Sequence, residues 1–178
     1  MVLDGHKHIP IASISETAAN RTITLMSLNK TFNFPGAGLG WMICKNTNLR
    51  KMASRNIGSL IPHPEIFGYV STDAAMKDGE EWRLALLDYL SQNRKLLVEK
   101  VNQISYLNLY DIEASYLGWI SCEHLPVENP HQLFLNHGVA LQPGCMFSQP
   151  NHIRINIAIP HALLKEALDR MEIAVKSI

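Results

Sequence analysis

The sequence predicts a mixed α/β (α+β) fold. Three observations predict it: short β-branched runs such as Thr22-Ile23-Thr24-Leu25-Met26, polar–apolar alternation over residues 152–159, and two long helical patterns over 80–104 and 161–175. Strands and helices alternate along the chain instead of segregating, which favours mixed layers over an all-α or all-β core. A chain of 178 residues suits one domain, or one and a half, and is long enough to bury a sizeable core.

Residues 1–14 lack periodicity and hold the polar cluster Asp4-Gly5-His6-Lys7-His8, which reads as a loop. Ser15-Glu16-Thr17 ahead of Ala18 and Ala19 opens a short helix. Residues 22–26 are β-branched and apolar and predict a buried strand. Pro35, Gly36, Gly38 and Gly40 make 33–40 a turn-rich insert. Gly40-Trp41-Met42-Ile43-Cys44 is the second strand of a hairpin-like connection.

A helix follows over 48–59, with Asn46, Thr47 or Asn48 near its cap. Ile61-Pro62-His63-Pro64 breaks the chain, and 65–76 is again helical. After Asp78-Gly79 comes the longest helical signal, 80–104. There Trp82, Leu86, Leu87, Leu90, Leu97 and Val101 recur at spacings of one, three, four and seven. A helix linking two domains has this form. Strands are expected at 106–110, 115–122 and 139–142, a short helix at 130–137, and a half-buried strand at 152–159. Helix 161–175 is amphipathic, with Leu163, Leu164, Ala167, Leu168 and Met171 on one face.

Lys plus Arg equals Asp plus Glu at 16 each, so electrostatics give no argument for nucleic acid or an anionic membrane. No apolar run approaches the roughly 18–20 residues of a spanning helix, and Met1 to Pro10 does not read as a signal peptide. Cys44, Cys122 and Cys145 are odd in number, widely spaced and form no CxxC, which suits a reducing cytoplasm. Cys122 and Cys145 have no adjacent base in sequence, so neither is offered as a nucleophile. His6-Lys7-His8 lacks a third ligand at a metal-binding spacing, and no metal is expected. Trp82 and Trp119 are read as packing residues.

Two residues carry candidate chemistry. Lys30 follows an apolar strand and precedes a glycine-rich loop. Partial desolvation there would lower its pKa and free the amine for Schiff-base formation. On spacing alone a solvated lysine at a strand end is the favoured reading, since lysine is almost never fully buried. Arg154 lies between Ile153 and Ile155, so the pleat places it on the face opposite both. A guanidinium fork on a rigid strand suits bidentate capture of a carboxylate. An exposed arginine on the wet face of an edge strand has the same pattern.

The run Arg21-Thr22-Ile23-Thr24-Leu25-Met26-Ser27-Leu28-Asn29-Lys30-Thr31-Phe32-Asn33-Phe34-Pro35-Gly36 resembles the lysine segment of fold-type I PLP enzymes. The similarity is to the aminotransferase class I/II group that includes C–S lyases of the MalY/PatB cystathionine β-lyase type. Gly144-Cys145-Met146-Phe147, the run Arg154-Ile155-Asn156-Ile157-Ala158-Ile159-Pro160, and residues 164–171 resemble the C-terminus of that group. Gly79-Glu80-Glu81-Trp82, Leu90 and Asn93-Arg94 resemble its interdomain helix. Residues 113–120 resemble its strand before the substrate side.

The resemblance implies a fold and a set of roles. Residues 1–80 would be the C-terminal remnant of the large PLP-binding domain, and 81–178 the small C-terminal α/β domain, entered by the long helix. Lys30 would hold pyridoxal 5'-phosphate as a Schiff base and later move the Cα proton. Arg154 would bind the α-carboxylate of an amino-acid substrate. Ser27 would either help hold the cofactor phosphate or cap the turn. Gly38 stands where aminotransferases often carry a phosphate-binding arginine, a departure shared with the lyase branch. Asn29 stands where serine is common.

Asp4 to Pro10 resembles the segment that follows the strand carrying the aspartate partner of the pyridine nitrogen, so half the active site is expected upstream. The expected partners are therefore a second copy, facing residues 61–71, or a missing N-terminal half. A non-catalytic interaction module, or half of a split enzyme, is the alternative reading.

Overall fold

Segment 15–26 shows how local chemistry starts the fold. The computed structural model describes residues 1–58 and 60–178. In it, helix α1 (Glu16–Arg21) is capped by Ser15, whose side chain accepts from Ala18 N at 3.1 Å. The chain then extends into strand β1 (Thr24–Met26), which pairs antiparallel with β2 (Trp41–Ile43) in the register Thr24–Ile43 and Met26–Trp41. The hairpin-like connection expected from the sequence is therefore present, but the strand expected to be buried is not. Leu25 is 74% exposed and Met26 47%, because a two-stranded ribbon offers no second layer to cover either face.

Helix α2 (Thr47–Ile57) is capped by Asn46, whose side-chain oxygen accepts from Asn48 N and Leu49 N. The amide nitrogen of Asn46 donates to Asn20 O and so joins α2 to the end of α1. The helix expected over 48–59 ends at Ile57; its expected last residue, Ser59, lies outside the described residues. Helix α3 (Ile66–Asp78) follows the proline break, and α4 (Glu80–Gln103) follows Gly79.

The chain divides into two units, Lys7–Ala85 and Met1–His6 with Leu86–Ile178. In the second unit the sheet is antiparallel in the order β3 (Asn108–Leu109), β4 (Leu117–Ser121), β6 (His152–Asn156), β5 (Gln142–Pro143). Helices α5 (Pro130–Asn136) and α6 (His161–Lys176) complete the unit. Ile153, Ile155 and Ile120 are buried at 3% exposure or less, in one cluster with Leu90, Leu97 and Val101 of α4 and Leu164, Leu168 and Met171 of α6. Helix α4 lies hard against the sheet at Gly118, where a Cβ would come within 2.9 Å of both Leu97 Cδ2 and Ile155 Cγ2.

Four strand expectations are corrected. The 106–110 and 115–122 strands are shorter, since Tyr106 and Ser115 have φ of 66° and 74°, outside the β region. The 139–142 strand is displaced to Gln142–Pro143. The 152–159 strand stops at Asn156, whose side-chain oxygen accepts from Ala158 N. On α6, Leu163 is 51% exposed, and the buried stripe runs instead through Leu164, Leu168, Met171 and Val175.

The N-terminal segment read as a loop has an anchor. Leu3 is buried, Leu3 N donates to Glu113 O, and Ser115 N donates to Met1 O. Asp4 pairs with Arg94 at 2.8 Å, and Arg94 also binds Asp111.

Candidate active site

Lys30 sits in the turn that leaves β1. Phe32 N donates to Leu28 O and Phe34 N to Asn29 O, so two backbone bonds span the lysine. Ser27 Oγ donates to Leu39 O at 2.7 Å and closes the base of the 27–39 loop. It also accepts weakly from Asn29 N at 3.4 Å. On the far side, Phe32 stacks on Trp82 with ring centroids 5.8 Å apart. A third anchor is at Gly68 of α3, where a Cβ would come 2.9 Å from Gly38 O. The loop holding the lysine is thus tied down at three points, all within the Lys7–Ala85 unit.

Lys30 itself is exposed. The partial desolvation expected from the sequence is absent, because the ribbon it follows is uncovered. Among the described residues, no ion pair involves Lys30 or Arg154. A primary amine without an acidic partner, on a fixed loop, can condense with a carbonyl carbon.

Arg154 belongs to the other unit, at the centre of β6. It is in register with Trp119 of β4 and Gln142 of β5, so all three share the face away from the isoleucine core. That face is aromatic. The Arg154 guanidinium carbon lies 4.9 Å from the Phe147 ring centroid. Phe147 meets Trp119 edge-on at 5.5 Å, and Trp119 stacks on His152 at 5.4 Å. His152 also stacks on Tyr110 at 5.9 Å. The packing role expected for Trp119 and Trp82 matches these contacts.

Residues 1–171 match the sequence profile of the family described as aminotransferase class I and II. The chain belongs to the aminotransferase class I and II family. Among curated relatives, it is 28% identical to cystathionine beta-lyase PatB of Bacillus subtilis, over 98% of this chain and 47% of that protein. Among solved structures, the crystal structure of OvoB superposes with a TM-score of 0.96 at 40% identity, covering 99% of this chain and 47% of that one. The PLP-bound C–S lyase of Staphylococcus hominis gives 0.85 at 28% identity, with 98% and 47% covered. The chain spans about half the length of the curated relatives it matches. Its mixed helices and sheets are those of the PLP-dependent transferase fold.

The side chains of this family member suit such a cofactor in kind. Lys30 offers a free amine for an aldehyde, and Ser27 a hydroxyl for a phosphate. The Ser27 proton is held by Leu39 O, so donation to a phosphate requires the hydroxyl to turn. Sequence reasoning missed the support around Arg154. Pleat spacing from Arg154 marks His152, two residues away, as a neighbour on the same face. Nothing in the periodicity marks Phe147, which comes from a 3-10 turn (Gly144–Phe147).

Among the described residues, no group of three or more His, Cys, Asp or Glu could hold a metal ion, and no helix is long and apolar enough to cross a membrane.

Proposed function

We propose that this chain is the C-terminal part of a pyridoxal 5'-phosphate-dependent aminotransferase or C–S β-lyase acting on an amino acid. The observation that carries the reading is the Lys30 amine, in no ion pair among the described residues, on its anchored loop in a chain of the aminotransferase class I and II family. When bound, pyridoxal phosphate supplies an electron sink for bond breaking at the substrate Cα. Lys30 would hold the cofactor through its amine, and the same amine, when free, would serve as the base for the substrate Cα proton. Arg154 binds the substrate α-carboxylate through its guanidinium fork. Ser27 would offer its hydroxyl to the cofactor phosphate. The 7–85 unit thus carries the remnant of the large domain, and the unit built on the antiparallel sheet is the small domain. The three free cysteines suit a reducing cytoplasm.

By itself the 178-residue chain binds the cofactor weakly and does not turn over substrate. The test supplies a companion polypeptide matching the other half of the relatives. Pyruvate release from L-cystathionine and amino transfer to a keto acid are then measured. Turnover is expected with the companion, abolished by Lys30→Ala. Arg154→Lys is expected to raise KM about ten- to a hundredfold, the scale of a charged hydrogen-bonded contact. Unchanged rates in either variant contradict the assignment.

Exposed apolar side chains favour a second reading, association through the 7–85 unit. Leu60 is 80% exposed, Phe67 72%, Met76 71% and Ile66 68%. Large apolar side chains left in water favour burial against a protein, either a second copy as homodimer or an N-terminal half. In this reading the chain serves as an interaction module or half of a split enzyme. Light scattering on the purified chain checks it: a monomer at all concentrations argues against self-association.

A further inference from the structure

The carboxylate-binding role of Arg154 leaves a physical problem open. A long guanidinium side chain loses conformational entropy when it is fixed. Most buried or half-buried arginines are fixed by a carboxylate, as Arg94 is by Asp4 and Asp111. Such a partner would consume the donors that a substrate carboxylate needs and would cancel the charge. An aromatic face attracts the cation through its quadrupole and takes up no N–H.

We infer that Phe147 is a positioning residue for Arg154, orienting the guanidinium plane while leaving its donors free, with Trp119 and His152 holding the Phe147 ring in place. The inference rests on the reading of Arg154 as the carboxylate site.

The geometry supports each link. Arg154 Cζ is 4.9 Å from the Phe147 centroid, within cation–π range. Trp119 meets Phe147 at 90°, the edge-to-face arrangement that aromatic pairs favour. Trp119 is backed by His152, which is only 4% exposed and lies stacked between Trp119 and Tyr110. The segment delivering Phe147 is tightly closed. Gln149 N donates to Gly144 O, His152 N to Gln149 O, and Cys122 N to Asn151 O. A Cβ on Gly144 would come 2.1 Å from Gln149 O and 2.5 Å from His152 O, so a side chain there would force the loop open. The ring, 44% exposed, is thus held by its closed turn and by the edge contact with Trp119.

The test uses the full chain, with 15N-arginine NMR of the Arg154 side chain and titration with L-alanine against L-alaninamide, which lacks the carboxylate. The Arg154 Nε–H signal, identified by its loss in Arg154→Lys, is expected to carry a ring-current shift. Phe147→Leu should remove that shift and weaken L-alanine binding about two- to fivefold. Phe147→Tyr should keep both. Pentafluorophenylalanine at 147 preserves the ring's shape but reverses its quadrupole, and should weaken L-alanine binding at least as much as leucine. It serves if the leucine variant does not fold.

An Arg154 signal that keeps its wild-type position in Phe147→Leu, or wild-type L-alanine affinity in both the leucine and the pentafluorophenylalanine variants while Arg154→Lys loses the carboxylate preference, overturns the positioning role and leaves the carboxylate reading standing. A preference for L-alanine that survives Arg154→Lys, or is absent from the wild type, instead overturns the carboxylate reading, and the inference with it.

Discussion

The ring edge of Phe32 occupies the space that a side chain on Gly79 would need: a Cβ there would come 2.5 Å from Phe32 Cε1. The same position would come 2.5 Å from Ala75 O at the end of α3. Gly79 is thus a close-approach glycine between the Lys30 loop and the α3–α4 junction. Gly79→Ala is expected to cost about 1–3 kcal/mol through overpacking. It should also speed limited proteolysis within 30–40 relative to wild type. Unaltered cleavage there would show that Phe32 does not anchor the loop.

Asn93 is fully buried and stitches α4 to the end of β6. Its Nδ2 donates to Ile157 O at 2.8 Å and Ile159 O at 2.9 Å, while its Oδ1 meets His161 Nδ1 at 2.8 Å. Asn93→Ala leaves two carbonyls and a ring nitrogen without this partner. A loss of about 2–4 kcal/mol is expected in urea unfolding followed by circular dichroism. A loss below 1 kcal/mol would mean that water replaces the amide at about the cost of an ordinary net hydrogen bond.

Asp169 on α6 is held between Lys100 of α4 at 2.6 Å and Lys165 at 2.7 Å. The hydrogen bond from Lys100, then that from Lys165, keeps its carboxyl below the ordinary range. Lys100 is pushed up, first by its hydrogen bond to Asp169. A carboxyl depressed by folding adds stability that is complete above its unfolded pKa and is lost as pH falls through its folded pKa. The raised lysine adds stability that is complete below its unfolded pKa and is lost as pH rises through its folded pKa. Asp169→Asn should therefore lower the melting temperature near neutrality and flatten the acid limb of stability against pH. Because the pair is partly exposed, added salt should shrink the difference. An acid limb of wild-type slope in the variant would refute the linkage.

The thiols should separate by burial. Burial pushes the Cys122 thiol up to about 12, and Cys145 is exposed. Alkylation followed by mass spectrometry should label Cys145 rapidly in the native chain and Cys122 only on unfolding. Equal native rates would contradict the packing of Cys122 under the sheet.

Much of this fold was legible in the sequence because the strong signals were periodic. The spacing of Leu90, Leu97 and Val101 marked the long helix, and alternation through Ile153, Arg154 and Ile155 assigned each to its face. The failures share a cause: patterns report which residues are apolar, not whether another layer covers them. Leu25 and Leu163 read as buried and are exposed for that reason. Strand ends were missed where single residues such as Tyr106 and Ser115 adopt positive φ. At the candidate site, Lys30 and Arg154 emerged from ordered motifs. Phe147 stood in the Gly144–Phe147 motif without a role, because a turn brings it to Arg154 from outside any periodic element.

Lys30 is the residue on which cofactor attachment to this chain depends. The purified chain is incubated with pyridoxal 5'-phosphate at limiting concentration, reduced with borohydride and mapped by peptide mass spectrometry. The phosphopyridoxyl group is expected predominantly on Lys30, and Lys30→Arg should lose that label without gaining it elsewhere. Label spread over surface lysines such as Lys45, Lys77 and Lys95, with Lys30 no more modified than they are, would contradict the assignment.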